Sequence, residues 1–271
     1  MRLFLLRNDG FTDFCYNFFM KRTPCFTTVY SDDDVVVLNK TSGLLVAADR
    51  YDLDAPRLDV EASAEFGRLY AVHRIDKDTS GIIIYARNSE AHQNLSEQFE
   101  NRKILKIYHC LVRGRPMWES QSVSLPLLTD GDSRHRTVVN KRIGKPSFTD
   151  FRFMGGAGIY SWIEAKPKTG RTHQIRVHLS EIGFPIVCDS LYSGNQKPIR
   201  LSELKRNWHG DEHEEVPLLS RLALHAYGIC FFHPKSGERL SLTAPYQKDM
   251  DALRRQMAKL YRFDPLEEQG R

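Results

Sequence analysis

Between His73 and Ala86 the chain passes without a linker from a charged, turn-forming loop into an apolar run. The loop is His73-Arg74-Ile75-Asp76-Lys77-Asp78-Thr79-Ser80 and the run is Gly81-Ile82-Ile83-Ile84-Tyr85-Ala86. An apolar, β-branched run of this length fits a strand buried on both faces. Val35-Val36-Val37-Leu38 has the same character. Such strands need neighbours and a covering layer on each side, so the fold must be built around a central sheet. A carboxylate in the loop is held by a rigid strand yet stays reachable, which suits catalysis. The same loop also reads as a polar turn whose Asp and Thr side chains bond backbone amides.

Residues 28–38 read as two short strands around an acidic turn, 40–43 as a turn, and 44–46 as extended chain. Asn88 or Ser89 caps a helix carrying Ala91, Leu95 and Phe99 on one face. Ile104 to Val112 alternates like a strand, and 113–146 is rich in turns, suggesting hairpins or a protruding loop. Gly155 to Gly158 is a turn before a strand from Tyr160 to Ala165, and no helix follows as a dinucleotide loop requires. A helix is predicted over Thr172–Ile182, with Ile175, Leu179 and Ile182 inward and Gly183 and Pro185 as its stop. Residues 193–217 read as a polar connector and 222–232 as a strand. An amphipathic helix over 249–261 turns Leu253, Met257 and Leu260 inward and leaves Arg254, Arg255 and Lys259 in solvent. Without a repeat or a regular βαβ rhythm, this mixture predicts an α+β domain on a mixed or antiparallel sheet. The domain spans 26–262, after an N-terminal extension over 1–25 and before a tail over 263–271.

The five cysteines are scattered, with no CxxC pair, which argues against a zinc site and a secreted disulfide framework. The N-terminal apolar run of four residues is too short for a signal core. No stretch approaches the ~20 apolar residues of a membrane helix, so a cytoplasmic protein is expected. Net charge is +5. Residues 101–145 hold ten Lys/Arg against three acids, 10 − 3 = +7, more than the whole chain. A local excess of this kind suits a polyphosphate partner, though a solvated basic face has the same composition.

A second dense segment, Lys168 to Leu179, gathers Arg171, Arg176, His173 and His178 around a predicted helix start. Thr172 and Arg176, four apart, share one face of such a helix, and its N-terminus favours an anion. The histidines are five apart rather than the i, i+4 of a helical zinc pair, so no metal site is expected. An ordinary helix with its arginines in water is the plain alternative.

HRIDKDTSG resembles the HRLDxxTSG signature of RluA-type pseudouridine synthases, and GRTHQIRVHL is similar to that family's later arginine motif. VVVLNKTSGLLV, KIYHCLVRG, GKPSFTDFR and LALHAYGICFFHP agree in order and spacing, so the resemblance runs from about residue 28 to 246. It implies the pseudouridine synthase catalytic fold, an α+β domain on a mixed, largely antiparallel sheet flanked by helices and loops, and isomerisation of selected uridines in structured RNA, ribosomal or transfer. By the resemblance Asp76 is the catalytic aspartate, Arg176 pairs with it and keeps it charged, and Tyr108 lies against the target base. Arg74 helps fill the space left by the flipped nucleotide, and Thr79 shapes the catalytic loop. His73, Arg171 and Thr172 are expected at the substrate, and Arg134, Arg136 and Lys141 on phosphates. The partner is a stem-loop RNA, with no DNA or membrane partner, and the protein is expected to be a monomer. The isomerisation conserves atoms, so no cofactor is implied.

Two departures from the family pattern stand out. Thr41 replaces the usual proline of the first motif, and with about 25 residues before that motif the accessory RNA-binding domain of larger members is expected to be absent. Two other readings remain. An RNA-binding module would share the basic stretch without needing Asp76, Arg176 and Tyr108 together. A glycoside hydrolase would need a second carboxylate, for which the loop offers only Asp78.

Overall fold

The two apolar runs are neighbouring strands in a computed structural model that describes residues 24–48, 55–194 and 197–267. Most of the expected N-terminal extension, Cys15 included, and the last four residues of the tail lie outside these. β1 (Phe26–Ser31) pairs with β2 (Val35–Lys40), and β2 with β4 (Ser80–Ala86). Val35, Val37, Ile82 and Ile84 enter one apolar layer, whereas Val36, Leu38, Ile83 and Tyr85 enter the opposite one. This is the two-residue period of a strand, and it explains why both runs are apolar throughout. Helix α2 (Ser89–Glu100) closes the first layer with Ala91 and Leu95, and α1 (Leu58–Phe66) closes the second with Leu58 and Ala62. Asn88 is the N-cap of α2, its side-chain oxygen accepting the Ala91 N–H at 2.8 Å.

The remaining strands are β3 (Tyr70–Ala71), β5 (Leu105–Arg113), β6 (Ser120–Ser124), β7 (Leu127–Leu128), β8 (Val138–Val139), β9 (Phe148–Ala157), β10 (Tyr160–Pro167), β11 (Leu224–Phe232) and β12 (Arg239–Thr243). The main sheet runs β1-β2-β4-β11-β5-β10-β9-β6, with β3 added to β4 and β12 to β11, while β7 and β8 form a separate hairpin. Only β4 and β11 are parallel, and they touch over just two residues each, Ser80–Gly81 beside His225–Ala226. Beyond that point the two strands separate, and β3 and β12 take over the freed edges. Gly81 sits at this junction with φ +111°, and a Cβ there would lie 2.6 Å from the Ala226 amide nitrogen. Only glycine fits, because the conformation and the close approach both exclude a side chain.

On the far half of the sheet, Leu111, Phe151 and Trp162 pack with α3 (Gln174–Glu181) and α5 (Lys248–Tyr261), whose Met250, Leu253 and Met257 are buried. A cavity-forming change such as Leu253→Ala at this seam would cost about 2–5 kcal/mol.

The structure is the mixed, largely antiparallel α+β arrangement expected, with local differences. The helix predicted from Thr172 begins at Gln174, because His173 takes a left-handed conformation (φ 53°) and Thr172 belongs to the preceding turn. Thr172 and Arg176 therefore do not share a helix face. The 193–217 segment is more than a connector. Ile199 and Leu204 are buried, the latter in the short helix α4 (Leu201–Leu204). Four elements have no counterpart in the sequence reading, among them the two-residue β3, and β9, which runs through Gly155–Ala157 where a turn is expected. α1 buries only Leu58 and Ala62, too few to mark a face, and β12 is a short edge strand. In the tail, Asp264 pairs with Arg254, which is therefore not simply solvated, whereas Arg255 pairs with Asp251 and stays exposed as expected.

Candidate active site

The Asp76 loop, the turn into β5 and the segment 167–176 enclose a cleft of about 520 Å³. Asp76 lines it with one-fifth of its side chain exposed. Its loop is fixed from several sides. The Thr79 N–H bonds the Asp76 carbonyl at 3.1 Å. Lys40, with no exposure, donates to the carbonyls of Thr41 (2.9 Å), Leu44 (2.8 Å) and Lys77 (3.0 Å). Burial pushes the Lys40 ammonium down to about 7. Ser80 accepts from Arg221 at 3.2 Å and bonds His225 Nδ1 at 2.9 Å. Arg221 is itself clamped by both Asp249 oxygens, at 2.6 and 2.7 Å. Thr41 needs no proline to hold its turn, since its N–H (3.0 Å) and hydroxyl (2.9 Å) both bond the Cys25 carbonyl.

Across the cleft stands Arg176, only 2% exposed. Its nearest carboxylate is Asp189, bonded through Nε at 2.7 Å and Nη2 at 2.8 Å. Nη1 faces Asp76 Oδ2 at 3.5 Å. Arg176 thus spans two carboxylates, one buried and bidentate, the other open to the cleft. The Tyr192 ring lies 5.2 Å below its guanidinium. Leu191 and Tyr192 N–H groups also donate to Asp189, which closes the turn that presents this carboxylate. The expected contact between Arg176 and Asp76 is present, but it is the weaker of the two.

His173 is the third group near Asp76, with Nε2 4.0 Å from Oδ2. Its Nδ1 bonds the Tyr192 hydroxyl at 2.8 Å, and that oxygen accepts the Thr137 N–H at 3.0 Å. Burial lowers the His173 pKa, with Asp76 opposing the shift. Tyr108 also lines the cleft, and burial together with Asp76 raises its hydroxyl well above the usual range.

The cleft gathers Asp76, Arg176, Tyr108 and Thr79, and also Arg74, His73, Arg171 and Thr172. Arg74 is exposed at the rim. His73 has a structural attachment as well: its ring stacks on Phe99 (4.5 Å) and its Nε2 accepts the Ile84 N–H at 3.0 Å. Arg171 uses its Nε on the Pro146 carbonyl at 3.3 Å. Arg134, Arg136 and Lys141 are not among the lining residues. Arg134 and Lys141 are exposed, whereas Arg136 bonds Asp132 (2.8 Å) and the Leu191 carbonyl (2.8 Å) and lies 5.9 Å from the Tyr192 ring. Asp78 is exposed and outside the lining, so the loop brings no second carboxylate to the cleft.

Sequence reasoning missed Lys40, Asp189 and Tyr192, and considered His173 only as a metal ligand. Lys40 lies in a motif already singled out, and a lysine closing an apolar strand was its signal. Asp189 and Tyr192 gave none, because their partners are set by a loop 13 to 19 residues from the groups they hold.

A sequence model of the RNA pseudouridylate synthase family matches residues 34–181, which contain Asp76, Tyr108 and Arg176. The chain belongs to this family. It is 33% identical over 239 residues to ribosomal large subunit pseudouridine synthase D of Neisseria meningitidis serogroup B, covering 86% of this chain and 61% of that protein. It is also 33% identical over 247 residues to the dual-specificity RNA pseudouridine synthase RluA of Vibrio vulnificus, covering 89% and 90%. The chain therefore spans less than two thirds of the Neisseria relative and nearly all of the Vibrio one. Among solved structures, human RNA pseudouridylate synthase domain containing 1 superposes with a TM-score of 0.62 at 26% identity, covering 84% of this chain and 87% of that one. Human RNA pseudouridylate synthase domain containing 4 shares the fold, with a TM-score of 0.65 at 24% identity.

Proposed function

We propose that this protein isomerises specific uridines to pseudouridine in structured RNA, with Asp76 as the essential carboxylate. The observation that carries the reading is the pairing of Asp76 with Arg176 at 3.5 Å, in a cleft also lined by Tyr108. The reaction detaches uracil from ribose, turns it, and rejoins it through carbon 5. A charged Asp76 serves it as nucleophile, or as base and electrostatic partner of an electron-poor ribosyl centre. The Asp189 pair holds the Arg176 guanidinium in place, so the counter-charge needs no rearrangement during the reaction. A stacked uridine cannot reach such a cleft and must be flipped out of its helix. Tyr108 offers a ring for the extruded base, a stack worth about 1–3 kcal/mol. Arg74 at the rim is suited to the gap that the nucleotide leaves.

Ribosomal or transfer RNA is the substrate class, the ribosomal part in keeping with the names of the relatives, and a stem-loop with an unpaired uridine costs least to open. The protein works as a monomer in the cytoplasm without a cofactor. The test is to incubate unmodified ribosomal and transfer RNA transcripts with the purified protein and map pseudouridines. Modification at one or a few unpaired uridines is expected. Transcripts left free of pseudouridine overturn the reading.

A further inference from the structure

Lys106 lies two residues before Tyr108 on β5, so both side chains emerge on the same face, and both line the cleft. Its ammonium is set beneath the 169–170 turn. The only hydrogen bond it makes among the described residues is to the Thr169 carbonyl, at 3.3 Å. A Cβ on Gly170 would meet nothing but Lys106 Nζ, at 3.7 Å. No carboxylate pairs with Lys106 among the described residues, whereas Arg176 and Arg221 are each clamped by one. Two of its three N–H donors thus have no protein partner. Burial pushes its pKa down to about 8.

Lys106 is half-buried beside the cleft, and a cation withdrawn from much of its water without a counter-charge is costly. Such a group is explained when the anion arrives with a ligand. A lysine acts on phosphate as a compact point charge with rotatable donors, which suits a flexible phosphodiester. The adjacent Arg171 adds positive charge, and Gly170 keeps side-chain bulk away from the ammonium.

We propose that Lys106 is a phosphate-binding residue of the cleft, gripping a phosphodiester next to the nucleotide whose base stacks on Tyr108. The proposal rests on the isomerase reading for the flipped nucleotide, but its test reads binding alone.

The experiment compares the full chain with Lys106→Met and Lys106→Arg. Equilibrium binding of a stem-loop RNA with unpaired uridines is measured between low and moderate salt, with thermal unfolding and tritium release from 5-tritiated uridine in parallel. Lys106→Met should weaken binding and lower the slope of log K against log salt by about 0.7–0.9, one phosphate contact. Lys106→Arg should restore the slope. The Met variant should melt no lower than the native chain, because it loses only a half-buried charge that no carboxylate pairs with among the described residues. An unchanged slope for Lys106→Met overturns the proposal, as does a melting temperature several degrees lower, which would make Lys106 structural. Binding with the expected slope change but no tritium release from the native chain keeps Lys106 and refutes the isomerase reading. Tritium release with an unchanged slope refutes Lys106 alone.

Discussion

Arg176 and Asp189 form a bidentate ion pair, 2.7 and 2.8 Å, in which neither side chain is more than 3% exposed. Asp76 meets the same guanidinium only at its remaining nitrogen, 3.5 Å away. The arginine facing the cleft is therefore oriented from behind by a carboxylate 13 residues further along the chain, and the cleft carboxylate stays free for a substrate.

Asp189→Asn should expose this dependence. The amide keeps one acceptor but removes the charge, leaving Arg176 buried without its main partner. Breaking such a pair costs about 3–5 kcal/mol. The guanidinium should then swing toward Asp76, and a misplacement near 1 Å can lower turnover by about 10²-fold. Denaturant unfolding and tritium release measure the two effects. An Asp189→Asn variant with native stability and native rate would mean that Arg176 is held by other means.

Much of this arrangement could be read from sequence, and the rest could not for identifiable reasons. The strands over 35–38 and 81–86 announced themselves because both faces are buried, which makes every residue apolar. Asp76, Arg176 and Tyr108 lie in short motifs adjoining regular elements. The Asp189 pair was hidden, since an aspartate in a loop looks the same whether it faces water or a buried arginine. The start of α3 was misjudged by two residues because His173 adopts a left-handed conformation that its side chain does not advertise. Charge counting also overrated Arg136, whose guanidinium is committed to Asp132 and Leu191.

The basic stretch should therefore divide in salt titrations of RNA binding. Arg134→Ala and Lys141→Ala should each lower the slope of log K against log salt by about 0.7–0.9 if each exposed side chain meets one phosphate. Arg136→Ala should instead leave the slope close to native and loosen the turn around Leu191 and Tyr192, at about 1 kcal/mol. Equal slopes for Arg134→Ala, Lys141→Ala and the native chain would move the RNA path away from this stretch.

Acid should unfold the protein early. Burial pushes His73 and His225 down to about 3, and His109 and His178 down to about 4. Unfolded, each titrates near 6.5. Between about pH 6.5 and 4 the unfolded chain binds more protons than the folded one at these rings, so their contribution is intact above 6.5 and falls as pH drops, by up to about 1.4 kcal/mol per unit for each histidine. Melting temperatures should drop steeply between pH 6 and 5, above the range where most carboxylates titrate. A melting temperature unchanged from pH 7.5 to 5 would contradict the neutral, buried state of these rings.

Gly81→Ala tests the junction between the two halves of the sheet. The added carbon would press on the Ala226 backbone, in a conformation that alanine avoids. β4 and β11 would have to separate, and the Asp76 loop would move with them. The variant should lose several kcal/mol of stability, or fail to accumulate as folded protein. Native stability and native activity together would mean that the junction is not rigid.

The most direct test compares the native chain with Asp76→Asn on RNA carrying 5-tritiated uridine. Asparagine keeps the volume of the side chain and removes its charge. The native protein should release tritium, because joining carbon 5 to ribose expels its hydrogen. Asp76→Asn should release none above background, while melting and binding RNA like the native chain. Release by Asp76→Asn within tenfold of native, or no release by the native protein on RNA that it binds, would contradict the account.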